Sequence, residues 1–173
     1  MPTNIHVLGP DNAALQVKTY REGMAQKIGH DLIIDVTSWE ASVDLDGTDS
    51  SILLQCDSKS LQVREGHNGV KPLSDKDRED IRKNIDGKIL KGQAIKFRST
   101  SMAPAGDGYD VQGELSIGDQ SRPVSFHMST AGGRLQGTVP LVQREFGIKP
   151  FSAMMGALKV RDEVEIIVDA PIA

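Results

Sequence analysis

The chain carries a single cysteine, Cys56, few aromatic residues (4%) and no surplus of positive charge. One thiol cannot close an internal disulfide, and it leaves no thiolate set for a four-ligand zinc site. Twenty Lys+Arg stand against 24 Asp+Glu, a net charge of −4. That balance lacks the cationic excess that binds a phosphate backbone, so nucleic acid is not an expected partner. No apolar run approaches the length of a membrane span, and no transmembrane segment is expected. The segment from Met1 to Pro10 has neither the basic region nor the apolar stretch of a secretory leader, which predicts a cytoplasmic protein. Catalytic signatures are missing as well: no G-x-S-x-G elbow, no H-E-x-x-H and no phosphate-binding glycine loop. His6, His30, His67 and His127 fall in separate segments with no metal-ligand spacing, so neither a metal nor another cofactor is expected.

What is present is alternation. A chain of 173 residues, 38% hydrophobic and 25% charged, is long enough for one domain spanning 1–173. Tyr109, Val111, Gly113, Leu115 and Ile117 share one face of an extended segment, with Asp110, Gln112, Glu114 and Ser116 on the other. Val124, Phe126 and Met128 repeat the pattern, as do Ile95 and Phe97, then Leu135, Gly137, Val139 and Leu141, then Val164, Ile166 and Val168. Period two of this kind marks half-buried antiparallel strands. Upstream the signal is weaker: Leu15 and Val17, then Leu32, Ile34 and Val36, then Val43 and Leu45, then Ile52, Leu54 and Cys56. Between Leu32 and Trp39 apolar residues occur in both phases, so the inward face there is open. Turn residues at 46–49, 105–108, 118–121 and 131–133 separate the runs. About eight such strands predict an all-β sandwich or up-and-down barrel.

One surface helix is expected after Ser74, which is placed to cap it, with Asp75, Asp77 and Glu79 in the first turns and Gly87 as a stop. Ile81 and Ile85 give it a narrow apolar stripe that could cover a barrel end. Phe151, Met154, Met155 and Leu158 instead show helical spacing. They suit either an adaptable apolar lid or a turn packed into the core. Among nucleophiles, Cys56 shares the apolar phase of Ile52 and Leu54 and reads as an inert buried thiol. His30 with Asp31 is the one neighbouring pair that suggests acid–base chemistry, against a structural histidine. His127 falls on a polar strand face and reads as solvated.

Several elements in series resemble the YceI-like family, named in part for polyisoprenoid-binding proteins. They are Ile95-Lys96-Phe97-Arg98-Ser99-Thr100, the hairpin from Gly113 to Val124 around Gly118 and Arg122-Pro123, Arg144-Glu145-Phe146-Gly147-Ile148, and Val160-Arg161-Asp162-Glu163-Val164-Glu165-Ile166. Their order over roughly residues 85–170 carries the resemblance. It implies an antiparallel eight-stranded lipocalin-like barrel with one short surface helix, whose tunnel holds a long amphiphilic chain such as an isoprenoid, a quinone or a fatty acid. The expected partner is therefore a hydrophobic small molecule and the expected function its binding or carriage, without catalytic residues. Ile34, Phe97, Val111, Leu115, Phe126 and Met128 are the candidate lining, and Phe151, Met154 and Met155 the candidate gate. Arg122, Arg144 and Lys149 are either head-group partners or ordinary surface cations. A filled barrel acting as an interaction module is the alternative, and an enzyme using His30 and Asp31 a lesser one. A homodimer is compatible with all three.

Overall fold

The computed structural model describes residues 5–24, 29–45, 50–67, 69, 71–156 and 158–172, with the side chains of Ala153, Met154 and Leu158 left aside. Its first strands are β1 (Ile5–Leu8), β2 (Ala14–Thr19), β3 (Arg21–Glu22), β4 (Asp31–Val36), β5 (Trp39–Asp44), β6 (Ser51–Cys56) and β7 (Leu61–His67). Helix α1 (Asp75–Asn84) follows and runs into a π-helical turn, Ile85–Ile89. Then come β8 (Ile95–Ala105), β9 (Gly108–Ile117), β10 (Gln120–Ser129), β11 (Arg134–Val142), β12 (Ser152–Ala153), β13 (Leu158–Val160) and β14 (Glu163–Pro171). Eleven of the strands form one antiparallel sheet in the order β1-β5-β6-β8-β9-β10-β11-β14-β2-β4-β7. The remaining three make a small sheet, β12-β13-β3.

The large sheet thus holds eleven strands where the alternation predicts about eight, and interruptions account for the difference. The segment Gly9–Ala13 divides β1 from β2, where Asn12 accepts from Gly9 N and donates to Val7 O. Thr37 and Ser38 divide β4 from β5. A 3-10 turn, Ser58–Ser60, divides β6 from β7, capped by Asp57 through Lys59 N. The last two breaks face each other: Thr37 N donates to Ser60 O at 2.9 Å and Asp57 N to Ser38 O at 3.0 Å. The 31–44 and 51–67 segments are therefore one long hairpin with a bend.

Each bend also shifts the parity of the inward face. Leu32, Ile34 and Val36 point inward on β4, whereas Trp39, Ala41 and Val43 do so on β5. Ile52 faces inward on β6, then Leu61 and Val63 on β7. That shift is why the sequence shows apolar residues in both phases from Leu32 to Trp39. The bent hairpin pairs with β1 and β8 through one half and with β2 through the other, which curls the sheet.

Strands β9 and β10 keep strict alternation and pair in one long register, from Ile117↔Gln120 down to Gly108↔Ser129, whereas β8 shifts register against β9 between Ser99 and Ser101. Left-handed glycines make the tight turns, Gly106 (φ 53°) before β9 and Gly118 (φ 62°) after it. The expected turn at 46–49 lies outside the described residues. The Ser74 cap is present: its hydroxyl accepts from Asp77 N while the Asp77 carboxylate accepts from Ser74 N, both at 3.1 Å. No residue of α1 is buried, and Gly87 sits inside the π-helical turn rather than ending the helix.

Candidate functional site

The inward faces do not meet everywhere. At the end carrying the β8–β9 and β10–β11 turns the core is closed. Val111 and Ala170 are packed there at 1% and 0% exposure, and Val43, Met128 and Leu135, equally buried, mark where the closed core gives way to open space. Toward the end that carries α1 and the β9–β10 turn the walls stand apart. They enclose a cavity of about 260 Å³.

Its wall is apolar over almost every lining residue. Val17, Leu54, Ile95, Leu115, Val124, Phe126, Val139, Ile166 and Val168 line it and are only half-buried although they point inward. Among the described residues no neighbouring side chain fills the space in front of them. Phe97 and Phe126 form a tilted ring pair, with centroids 5.8 Å apart. Gly113 makes room for it, because a Cβ at that position would lie 2.5 Å from the Phe97 ring. The π-helical turn adds Ile85, Ile89 and Leu90 to the wall. Such turns widen a helix and often shape functional sites.

A further closing piece comes from the 3-10 turn Gln143–Phe146. Strands β10 and β11 share only two paired positions, Met128↔Gly137 and Ser129↔Gln136. Above them Phe146 and Ile148 enter the cavity wall, and Arg122 ties the turn to β10 by donating from Nε to Glu145 O at 2.8 Å. Gly147 turns the chain at φ 73°. The Arg144–Ile148 motif thus fills the parting between two strands.

The candidate lining residues Ile34, Phe97, Leu115, Phe126 and Met128 all border this cavity. Val111 is buried but stands off it, in the closed end. Phe151 and Met155 do not border it; Met155 is fully exposed at a positive φ of 56°. The side chain of Met154 lies outside the described residues. What the sequence reading missed is the contribution of Ile89 and Leu90. Their signal was the apolar residue continuing past the expected helix stop at Gly87.

No charged residue or histidine lines the cavity among the described residues. The polar members of the wall are Thr19, Trp39, Cys56 and Gln143. Trp39 Nε1 and Thr19 Oγ1 are buried without a hydrogen-bond partner, and Gln143 turns its Nε2 to Arg161 O at 3.0 Å. Burial, and secondarily the charge of Asp57, pushes the Cys56 thiol up to about 12, so it stays protonated and unreactive. His30 is engaged elsewhere, its Nε2 against Lys71 O, and Asp31 accepts from Arg21 N. The remaining head-group candidates divide: Arg122 is bonded to Glu145 O and Arg144 lies 3.6 Å from Asp162, while Lys149 is exposed. His127 is held on the outer face, Nε2 2.7 Å from Asp107 and Nδ1 2.9 Å from Asp110. These carboxylates raise its pKa, and His127 with Ser129 lowers that of Asp107.

Fold and cavity together define an all-β protein that encloses an apolar space and presents it no charged group among the described lining residues. The YceI-like domain matches residues 27–172, and the chain belongs to that family. It is also similar to the crystal structure of Burkholderia cenocepacia BcnA, with a TM-score of 0.63 and 19% identity, over 91% of this chain and 94% of that one. That likeness is one of fold. No curated protein matches the sequence. Among the described residues no helix is long and apolar enough to cross a membrane.

Proposed function

We propose that the protein binds and carries a long-chain amphiphilic lipid, isoprenoid, quinone or fatty-acid-like, inside a lipocalin-like barrel formed by the curled sheet. The observation that carries this reading is the continuous apolar wall around about 260 Å³ of empty space. A void that size would be filled by side chains if packing alone were selected, since interiors reach crystal-like density. An apolar cavity stays dry and takes apolar guests. Burying ten methylenes contributes on the order of 8 kcal/mol before the costs of association. Membership of the YceI-like family supports a binding rather than a catalytic role.

In this reading Ile34, Phe97, Leu115, Phe126 and Met128 contact the chain of the ligand. The polar head stays at the rim, since the wall offers no charge to pair with it. Native mass spectrometry of freshly purified protein, followed by organic extraction, tests the proposal. A discrete bound mass that disappears on extraction is expected. A clean apo mass that persists after incubation with polyprenyl lipids and quinones would overturn it.

A further inference from the structure

We propose that the small sheet β12-β13-β3 docks this protein on the surface of an anionic lipid bilayer. Strand β11 ends and β14 begins at the hollow end of the large sheet, and the chain between them supplies β12 and β13. The small sheet is rooted in the cavity wall at three places. Thr19 borders the cavity just before β3, Ile148 just before β12 and Val164 just after β13. Lys159 is the middle of a row across the sheet, opposite Ser152 on one side and Glu22 on the other. The chain runs on past Glu22 to Met24 and past Ser152 to Met155, so both methionines leave the same end of the sheet. Met24 is 98% exposed and Met155 fully exposed, the two most exposed large apolar side chains among the described residues. Met155 also holds a φ of 56°, a left-handed conformation that costs free energy outside glycine. Folding gains nothing from an apolar side chain held in water in this way, whereas an interface that takes it up does.

The charges around this tip point to the occupant. Residues 18–24 and 143–163, which build and flank the small sheet, carry six cations and four acids in a chain of net charge −4. The stretch from Lys149 to Arg161 has three of those cations and no acid. Lys149, Lys159 and Arg161 are all exposed. Among the acids nearby, Asp162 is drawn to Arg144 and Asp31 to Arg21, and Glu165 accepts from the Tyr20 hydroxyl. Helix α1 and its π-helical turn, at the same end, balance five acids with five cations over 75–89. The positive surplus therefore lies beside the exposed methionines. Apolar side chains bordered by cations suit the headgroup layer of a bilayer, where the apolar groups leave water and the cations meet lipid phosphates. Tyr20, with Lys18 and Arg161 over its ring at 5.4 and 5.7 Å, has the apolar body and polar tip that favour the same layer. In choosing a bilayer over an acidic protein groove the inference rests on the lipid reading of the cavity, since a bilayer holds the molecules that the apolar wall would take.

Flotation of the full chain with lipid vesicles tests the proposal. Binding is expected to vesicles of equal parts phosphatidylcholine and phosphatidylglycerol at low salt, falling as salt shortens the reach of the charges, and about tenfold weaker to phosphatidylcholine alone. Met24→Asp with Met155→Asp is expected to weaken it by about tenfold or more, and Lys149→Gln with Lys159→Gln by a similar factor. Thermal melts confirm that both double variants remain folded, as exposed positions should allow. In a Cys56→Ala background, Met155→Cys carrying an environment-sensitive dye is expected to shift its emission to the blue on the mixed vesicles. A wild-type chain that does not float, binding indifferent to either double variant, equal binding to neutral vesicles, or a dye that stays in water would each overturn it. Native mass spectrometry reads the cavity without vesicles, so the two readings fail separately. A chain that carries lipid but does not float overturns the docking alone, and one that floats but carries no lipid overturns the lipid reading alone.

Discussion

The two ends of the curled sheet are built from the same strands and the same residue types, yet one is solid and the other hollow. At the closed end Val111 and Ala170 are packed with almost no exposed surface and do not border the cavity. Toward α1 the same strands present Leu115, Val124, Val139 and Ile166, equally apolar and only half-buried. Hydrophobicity therefore does not separate core from cavity here. Distance between walls does. At the hollow end β10 and β11 part after two paired positions, and the bends at Thr37–Ser38 and Ser58–Ser60 hold the opposite wall away.

Truncation should expose that difference most strongly. Val111→Ala removes atoms from a packed site that does not border the cavity, so chemical denaturation is expected to show a loss of about 1–3 kcal/mol while retained lipid is unchanged. Phe126→Ala removes a larger side chain that already borders empty space. Its cost should fall below the ~3–5 kcal/mol typical of a fully packed phenylalanine, while retained lipid drops sharply. Retained lipid that falls equally at the two positions would mean that the hollow does not separate them in solution.

A filling substitution sharpens the same contrast from the other side. Ile89→Trp in the π-helical turn should leave the melting temperature within a few degrees of wild type yet reduce lipid uptake, measured by native mass spectrometry. A smaller effect concerns Cys56. With its pKa near 12, alkylation at pH 8 should be slow in the native state, and slower again in lipid-loaded than in extracted protein. Rates that ignore loading would remove Cys56 from the ligand-bearing wall.

The smallest effect lies on the outside of the closed end. His127 is more basic folded than unfolded because Asp107 and Asp110 hold its proton. Its contribution is thus complete below the unfolded value of about 6.5 and disappears as pH rises through the higher folded value. The depressed Asp107 works in the opposite sense, its contribution present above about 3.9 and lost as pH falls through its folded value. Melting temperature followed across pH should show a shallow decline above neutrality that His127→Gln flattens.

The later half of the chain was legible because most of its strands run without a parity change, β8 with its shift between Ser99 and Ser101 being the exception. Tyr109 to Ile117, Gln120 to Ser129 and Val164 to Val168 alternate without a parity change, and inward positions follow by counting in twos. The first half was not, because β1–β2, β4–β5 and β6–β7 each change parity at a break, and at the last two the hydrogen bonds join residues far apart, such as Thr37 to Ser60. The cavity wall was legible to the same degree. Phe97, Leu115 and Phe126 were found by phase, whereas Ile89 and Leu90 were hidden beyond a glycine that does not end the helix, and Val111 was assigned to a hollow region it does not reach.

The sequence by itself determined that this is an all-β chain with one capped helix and a YceI-like order of motifs. Those properties follow from local periodicity, turn residues and a capping box. Only the tertiary structure decided which apolar residues meet and which face open space. Phase names the side of a strand but carries no information about how far away the opposite wall lies.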